Sequence, residues 1–381
     1  MQHKVEFFRH NIGDEEIARA MAVLNSLFLT TGEEVSLFES RLAEYLALPH
    51  AVGLTSATAG LHLSLLALGV GAGHEVITTP LSFVASANAI LMAGARPVFV
   101  DVEDETGNID ASLVEGAITE KTRAILPVHL YGSMCDMRRL REIADRHRLV
   151  IVEDCAHALE ASRDGVRVGH LGDTAVFSFY ATKSITSGEG GAVATRHGRC
   201  AGGLKMLRSH GIESDAHDRY TRLYRHYDMV LLGWKYNMDN LQAALLIPQL
   251  ARAEEYLARR SLIAARYEEA FSRLEGVSFP HVPQGARSGR HLFTIQVDPH
   301  LRDRLLWALQ ERNIGVAVNF RAIHLMSYYR ETFGFQRGMF PRAERIGDST
   351  LSLPLYPKLT DGEISRVIEA MEESLAGLKK G

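Results

Sequence analysis

The hydrophobic pattern begins with two amphipathic helices and then alternates between short apolar runs and helical segments. Residues 14–27 and 34–46 carry apolar side chains three and four positions apart, which is the spacing of a helix with one buried face. Short, largely apolar runs then recur between helical segments, at residues 76–79, 97–102, 123–128, 149–152, 175–179 and 191–195. Apolar strands separated by helices predict a mostly parallel sheet that is covered on both faces.

The pattern changes near residue 248. A long helical segment is predicted over residues 238–274, and Pro248 inside it is expected to bend it. Shorter elements follow, with a strand at 292–297 and helices at 303–312 and 361–378. We therefore predict an α/β fold with a large domain over residues 1–248 and a smaller C-terminal α+β domain over residues 249–381.

Composition narrows the class of protein. The 381 residues are 46% hydrophobic and 23% charged, which is typical of a globular protein and excludes a mostly disordered chain. Lys and Arg number 42 against 46 Asp and Glu, a formal net charge of −4, so the basic excess of a nucleic-acid-binding protein is missing. The three cysteines form no C-x-x-C and the 17 histidines form no H-x-x-x-H, so no metal site is predicted.

The chain carries no signal for a membrane. No run of about 18 apolar residues occurs, and the N-terminal residues lack the apolar core of a signal peptide. We therefore expect a cytoplasmic protein without a membrane span.

A run of small and hydroxyl residues at positions 56–60 opens a predicted helix directly after the apolar residues 51–54. The backbone N–H groups and the dipole at a helix N-terminus favour a bound anion such as a phosphate. The alternative is an ordinary helix cap by Ser56 or Thr58.

An acidic residue follows the apolar strand near residue 151. In an open α/β sheet, ligands bind beyond the carboxyl ends of the strands, so Asp154 is placed where a carboxylate can meet a cationic group of a ligand. A helix cap or a structural ion pair is the alternative interpretation of this residue.

Lys183 follows the strand at 176–179 and precedes a glycine-rich turn, among small and aromatic neighbours. A partly desolvated lysine has a lowered pKa and can act as a nucleophile toward a carbonyl carbon. A solvated loop lysine is the alternative. The carboxylate, the lysine and the upstream anion site together indicate a ligand-binding enzyme more strongly than any one of them.

These motifs resemble the DegT/StrS family of pyridoxal-phosphate-dependent sugar aminotransferases, which have the type I fold. The resemblance runs along essentially the whole chain. It rests on segments 29–32, 56–61, 75–77, 82–85, 127–132, 153–157, 178–192, 233–238, 242–244 and 352–355.

The resemblance implies roles for the residues in these motifs. Lys183 would hold pyridoxal phosphate covalently and, once released by the amino donor, would move a proton. Asp154 would pair with the pyridinium nitrogen, and His157 would contact the ring near its phenolic oxygen. Phe83 would stack on the ring.

The resemblance also implies a phosphate cradle and a shared site. Thr58, Ala59 and Ser178 would bind the 5′-phosphate. Asn237 would reach that phosphate from a partner subunit, which implies a homodimer with shared active sites.

The implied substrates are glutamate, released as 2-oxoglutarate, and a nucleotide-linked keto sugar, expected to be a UDP-4-keto sugar; a 3-keto or dTDP-linked sugar stays open. Thr31, Arg321 and His324 are expected to contact substrate. Tyr131 would line the sugar pocket or pack in the core. Segment 213–228 departs from the family and is expected to be a specificity loop or a mobile surface loop.

Three other classes remain as alternatives. Sugar dehydratases of the same fold replace the lysine with histidine, so Lys183 argues against them. A non-catalytic relative would not need this many intact site positions. An enzyme acting on amino acids would carry a late arginine for the substrate carboxylate, and Arg321 leaves that possibility open.

Overall fold

The computed structural model describes residues 3–212 and 226–380. In the first part, the helices are α1 (Asp14–Leu24), α2 (Glu33–Leu46), α3 (Ala57–Ala67), α4 (Ala85–Met92), α5 (Ala111–Val114), α6 (Met137–His147) and α7 (Gly198–Leu207). The strands are β1 (His50–Leu54), β2 (Glu75–Thr78), β3 (Arg96–Phe99), β4 (Thr122–Leu126), β5 (Val150–Asp154), β6 (Ser162–Arg163), β7 (Val166–Arg167), β8 (Thr174–Ser178) and β9 (Gly191–Thr195).

Seven of these strands form the central sheet, in the order β1–β9–β8–β5–β4–β2–β3. β9 runs antiparallel to β1 and β8, and the other neighbours are parallel. Separate apolar cores pack on its two faces, one including residues of α2 and α6 and the other including residues of α3 and α7. The predicted α/β fold with a mostly parallel, doubly covered sheet is confirmed.

The second part of the chain builds another core around two strands. Its elements are α8 (Asn240–Ala251), α9 (Ala253–Phe271), β10 (Ala286–Arg287), β11 (Phe293–Gln296), α10 (Pro299–Glu311), α11 (Ser327–Phe333), α12 (Pro341–Ser349), β12 (Thr350–Leu353) and α13 (Asp361–Lys380). β11 and β12 pair antiparallel, and apolar side chains from α9, α10 and α13 cover them. Val5 is also buried in this second core, so the N-terminal segment packs against the C-terminal part of the chain. The boundary at residue 248 stays a prediction.

The single helix expected over residues 238–274 is two helices, which corrects that prediction. Pro248 lies inside α8 without ending it. The helix is interrupted four residues later, at Arg252, which separates α8 from α9. Arg252 pairs there with Glu16, whose side chain is fully buried in α1. The break thus follows a tertiary contact that the local sequence does not encode.

A buried carboxylate anchors the loops around the end of β5. Glu153 Oε1 accepts a hydrogen bond from the Gly172 N–H at 2.6 Å, and Oε2 accepts one from the Gly169 N–H at 2.9 Å. His129 Nε2 lies 2.9 Å from the same Oε2. Because successive residues of a strand face opposite sides, this anchor leaves the next residue, Asp154, on the other face.

None of the helices within the described ranges is both long enough and apolar enough to cross a bilayer.

Candidate active site

A cavity of about 610 Å³ lies at the carboxyl ends of the central parallel strands. The segment around Phe320 and the residue His291, both from the second half of the chain, contribute to its wall. Six of the residues expected from the sequence line it together: Thr58, Phe83, Asp154, His157, Ser178 and Lys183. Parallel strands bring their carboxyl ends to one edge, which is why residues far apart in sequence meet here.

Lys183 enters the cavity from the turn after β8, where its N–H donates to the Tyr180 carbonyl at 2.9 Å. Burial lowers the pKa of Lys183 to about 8, although the negative charge of Asp154 acts in the opposite direction. At pH 7, about a tenth of this amine is therefore uncharged, far more than for an exposed lysine. An uncharged lysine amine can attack a carbonyl carbon and can accept a proton.

Asp154 ends β5 with its side chain buried in the cavity wall. Its Oδ2 accepts a hydrogen bond from Ser86 Oγ at 2.8 Å, and its Oδ1 accepts one from the Ala156 N–H at 3.1 Å. Burial raises the pKa of Asp154 above its usual range, while these two hydrogen bonds and the charge of Lys183 lower it. A cationic group of a ligand beside this carboxylate would favour its ionised form.

His157 lies in the same wall, and its imidazole is neutral. Burial lowers its pKa well below the usual value, and the charge of Lys183 acts in the same direction. Its Nδ1 accepts a hydrogen bond from the Tyr131 N–H at 3.3 Å. The ring is nearly parallel to that of Phe320, with centroids 5.7 Å apart.

The N-terminus of α3 opens onto the cavity. Ser56 caps this helix by accepting a hydrogen bond from the Ala59 N–H at 3.1 Å, and Thr58 lines the cavity. Gly191 permits the close approach, because a Cβ there would lie 2.3 Å from the Ser56 carbonyl carbon. The N–H groups of a first helical turn have no partner inside the helix, so this end can bind an anion.

Aromatic side chains form the outer part of the cavity. Phe83 is 59% exposed, and its ring centroid lies 6.0 Å from that of Phe320. Phe7, from the N-terminal segment, also contributes to the lining. A flat ring of a ligand can stack on such a surface.

Several predicted site residues do not line this cavity. Ala59 is buried behind it, with its N–H bonded to Ser56. Asn237 Nδ2 donates to Thr31 Oγ1 at 2.8 Å. These two residues are therefore in contact with each other, but neither lines the cavity. Tyr131 is 5% exposed and its hydroxyl donates to the Asn319 carbonyl at 2.6 Å, which favours the packing interpretation over the sugar pocket.

Two predicted substrate residues also lie outside the cavity lining. His324 is fully buried, and its Nε2 lies 2.9 Å from Oε1 of Glu344, so it holds the segment near α12 rather than facing the cavity. Arg321 is exposed next to the lining residue Phe320. Of segment 213–228, residues 213–225 lie outside the described part of the chain, so its expected role stays a prediction.

Several lining residues were given no role from the sequence, among them Ser86, His291 and Phe320. Ser86 binds the Asp154 carboxylate, and His291 Nε2 lies 3.5 Å from Lys183 Nζ. His291 and Phe320 are more than 100 residues from Lys183 in sequence. No local motif marks His291 as a site residue, whereas Phe320 directly precedes the predicted residue Arg321.

The donor set fits pyridoxal 5′-phosphate. The helix N-terminus at Thr58 suits the phosphate, the buried Asp154 carboxylate suits the pyridinium nitrogen, and the Lys183 amine suits the aldehyde carbon. The aromatic ring of Phe83 suits the flat face of the pyridine. These groups share one cavity of sufficient volume.

Comparisons with known proteins identify an aminotransferase family. The model of the DegT/DnrJ/EryC1/StrS aminotransferase family matches residues 10–372. The spore coat polysaccharide biosynthesis protein SpsC of Bacillus subtilis (strain 168) is 40% identical over 372 residues, covering 96% of each chain.

Two solved structures share the fold. Helicobacter pylori PseC, an aminotransferase involved in the biosynthesis of pseudoaminic acid, is 28% identical with a TM-score of 0.91, covering 98% of this chain and 100% of that one. Spr1654 of Streptococcus pneumoniae, described as a sugar aminotransferase and solved in a PLP form, is 31% identical with a TM-score of 0.91, covering 98% of each chain.

The fold is that of a type I pyridoxal-phosphate aminotransferase. The chain belongs to the DegT/DnrJ/EryC1/StrS aminotransferase family. Pyridoxal phosphate is accordingly its cofactor, and the expectation of an aminotransferase is confirmed.

Proposed function

We propose that this enzyme moves an amino group from glutamate to the C4 keto group of a UDP-linked sugar. Segments 56–60, 320–324 and 328–331 resemble those of UDP-4-amino-4-deoxy-L-arabinose aminotransferase. SpsC, whose name refers to polysaccharide biosynthesis, and Spr1654, described as a sugar aminotransferase, support a sugar acceptor. A 3-keto or dTDP-linked sugar is the alternative.

The observation that carries the proposal is the position of the Lys183 amine. It shares a cavity with the Asp154 carboxylate, whose charge acts on it, and the outer wall of that cavity is aromatic. An amine with a lowered pKa in such a cavity suits the transfer of an amino group. The choice of a sugar as the acceptor is supported by the family and the relatives.

Each residue of the site has a separate role in the proposed reaction. Lys183 holds the cofactor. When its amine is free, it moves a proton between the substrate carbon and C4′ of the cofactor. Bound pyridoxal phosphate supplies an electron sink for the charge left on that carbon. Asp154 keeps the ring nitrogen protonated, and His157 lies at the ring. Thr58 and Ser178, which line the cavity, hold the phosphate. Ala59, the third residue expected there, lies outside the lining and its N–H is bonded to Ser56.

We propose that two subunits share the site. Thr31 and Asn237 bind each other outside the cavity of their own chain. The implied role of Asn237 at a phosphate therefore requires the cavity of a second copy. A twofold symmetric dimer would give each cavity one such residue.

Mixing two inactive variants tests this arrangement. Lys183→Ala and Asn237→Ala homodimers are each expected to be inactive or weakly active. After dissociation and reassociation, about a quarter of the sites should combine an intact Lys183 with an intact Asn237 from the other chain, because half of the dimers are mixed and each has one such site. Activity that stays at the level of the unmixed variants would contradict a shared site.

A single-turnover screen tests the acceptor. The protein is converted with glutamate, excess donor is removed, and UDP-4-keto-pentose, UDP-4-keto-hexose and dTDP-linked 3-keto and 4-keto hexoses are added one at a time. We expect the visible absorption of the lysine-bound cofactor to return at least about tenfold faster with a UDP-4-keto sugar, since a well-placed contact discriminates by about 1–3 kcal/mol.

The controls separate the acceptor from the chemistry. 2-Oxoglutarate must restore the absorption in every case, because it reverses the donor reaction. Faster return with a dTDP-linked or 3-keto sugar would contradict the UDP-4-keto assignment and favour the alternative. Return with 2-oxo acids alone would contradict a sugar acceptor.

A further inference from the structure

His291 is a buried cavity residue to which the proposed function gives no role. Its side chain is 6% exposed, and its Nε2 lies 3.5 Å from Lys183 Nζ. Its ring packs on that of His157, with centroids 4.4 Å apart. Hydrogen bonds at active sites are often long before the substrate is bound. A distance of 3.5 Å is therefore compatible with a hydrogen bond between the imidazole and the lysine nitrogen.

A buried ion pair fixes the backbone that carries His291. Arg260 is 2% exposed, and its guanidinium donates to the carbonyls of Gly289 and Arg290, each at 3.1 Å. The same guanidinium donates to the Glu160 carboxylate at 2.6 Å. Two carbonyls immediately before His291 are thus held by a side chain that is itself held in place.

The backbone of Tyr131 contacts both histidines. Its carbonyl accepts a hydrogen bond from the His291 N–H at 3.2 Å, and its N–H donates to His157 Nδ1 at 3.3 Å. Because His157 Nδ1 accepts, the proton of that neutral ring lies on Nε2. Tyr131 therefore holds the ring of His157 and the backbone of His291.

Burial and the neighbouring charges favour the neutral form of the His291 imidazole. Burial lowers its pKa well below the usual value, and the positive charges of Lys183 and Arg260 and the neighbouring His157 act in the same direction. Asp154 is the carboxylate that acts on Lys183 across the cavity. A neutral imidazole offers one nitrogen lone pair, and Nε2 is the nitrogen that faces the lysine.

We infer that His291 accepts a hydrogen bond at Nε2 from the Lys183 amine whenever that amine is not bonded to the cofactor. It thereby holds the reacting nitrogen in place between the two halves of the reaction. The inference rests on the proposed role of Lys183, and it is independent of which sugar is the acceptor.

The first test measures the Lys183 amine in the protein without cofactor. Acetylation of Lys183 by acetic anhydride is followed by mass spectrometry across a pH series, in the wild type, His291→Phe and His291→Gln. Phenylalanine keeps a ring on His157 but cannot accept a hydrogen bond, so the ammonium form loses a partner. We expect the pKa of Lys183 to fall by about one unit in His291→Phe and by less in His291→Gln, which still offers an acceptor.

The second test follows the reaction with glutamate alone, without any sugar. In the loaded enzyme, the single-turnover rate at saturating glutamate should fall about 10- to 100-fold in His291→Phe and recover in part in His291→Gln. His300→Gln, an exposed position on α10, is the matched control and should change neither the rate nor the pKa.

The outcomes distinguish this inference from the proposed function. A Lys183 pKa that is unchanged or higher in His291→Phe would overturn the inference, and so would a lower rate with an unchanged pKa, since that pattern indicates packing alone. If the phenylalanine variant does not fold, His291→Asn replaces it, because its amide is too short to reach Nζ. Covalent binding of the cofactor to another lysine would refute the role of Lys183 instead.

Discussion

Replacing Lys183 by alanine is expected to abolish turnover while leaving the fold intact. The variant lacks both the amine that holds the cofactor and the group that moves the proton, and proton transfer alone contributes up to about 10⁴-fold. We expect the single-turnover rate with glutamate to fall by at least about 10³-fold, and the visible absorption of the lysine-bound cofactor to disappear. Stopped-flow absorbance measures both.

The fold of this variant should be preserved, because burial already disfavours the charged form of the Lys183 amine. The free energy of unfolding should change by no more than about 1 kcal/mol. Lys205→Ala is the matched control: this lysine side chain is 55% exposed, 3.6 Å from Glu39, and its loss should leave the rate and the absorption unchanged. A Lys183→Ala protein that retains both properties would refute the assignment.

Replacing Asp154 by asparagine is expected to impair catalysis far more than folding. Asparagine is nearly the same size. Its carbonyl oxygen can accept the hydrogen bond from the Ala156 N–H, and its amide group can donate to the Ser86 hydroxyl. It cannot supply the negative charge that pairs with the pyridinium nitrogen. We expect the glutamate single-turnover rate to fall about 10²- to 10³-fold, which corresponds to about 3–4 kcal/mol for a lost buried charge pair.

Stability provides the control, and its sign follows from burial. The raised pKa of Asp154 means that the native state binds a proton more tightly than the unfolded chain does. At neutral pH, ionisation of Asp154 therefore costs folding free energy in the protein without cofactor. Asp154→Asn should be at least as stable there as the wild type, and the difference should vanish as the pH falls below about 4. Unchanged turnover would contradict the pyridinium role.

The fold was accessible from sequence because its signals are local. Apolar runs such as residues 149–152 and helical segments alternate regularly along the first half, and buried parallel strands require that pattern. The end of α8 was not accessible. Proline predicts a bend at residue 248, but the break at Arg252 coincides with its pairing to Glu16, more than 200 residues away in sequence.

The site was accessible to the extent that its residues follow strand ends or open a helix. Asp154, Lys183 and Thr58 occupy such positions, and the structure brings them into one cavity. His291 has no such mark, because its place is set by Arg260 and by the backbone of Tyr131. His324 shows the converse: a histidine in a motif of the family is bonded to Glu344 in the interior.

The most direct test of the central claim follows the nitrogen atom itself. The enzyme is loaded with pyridoxal phosphate and incubated with isotopically labelled glutamate and a UDP-4-keto sugar, and the products are analysed by mass spectrometry. The account predicts that the label appears in a UDP-amino sugar, in proportion to the 2-oxoglutarate released, and that Lys183→Ala forms none. Label that passes only to 2-oxo acids, and to no nucleotide-linked keto sugar, would contradict it.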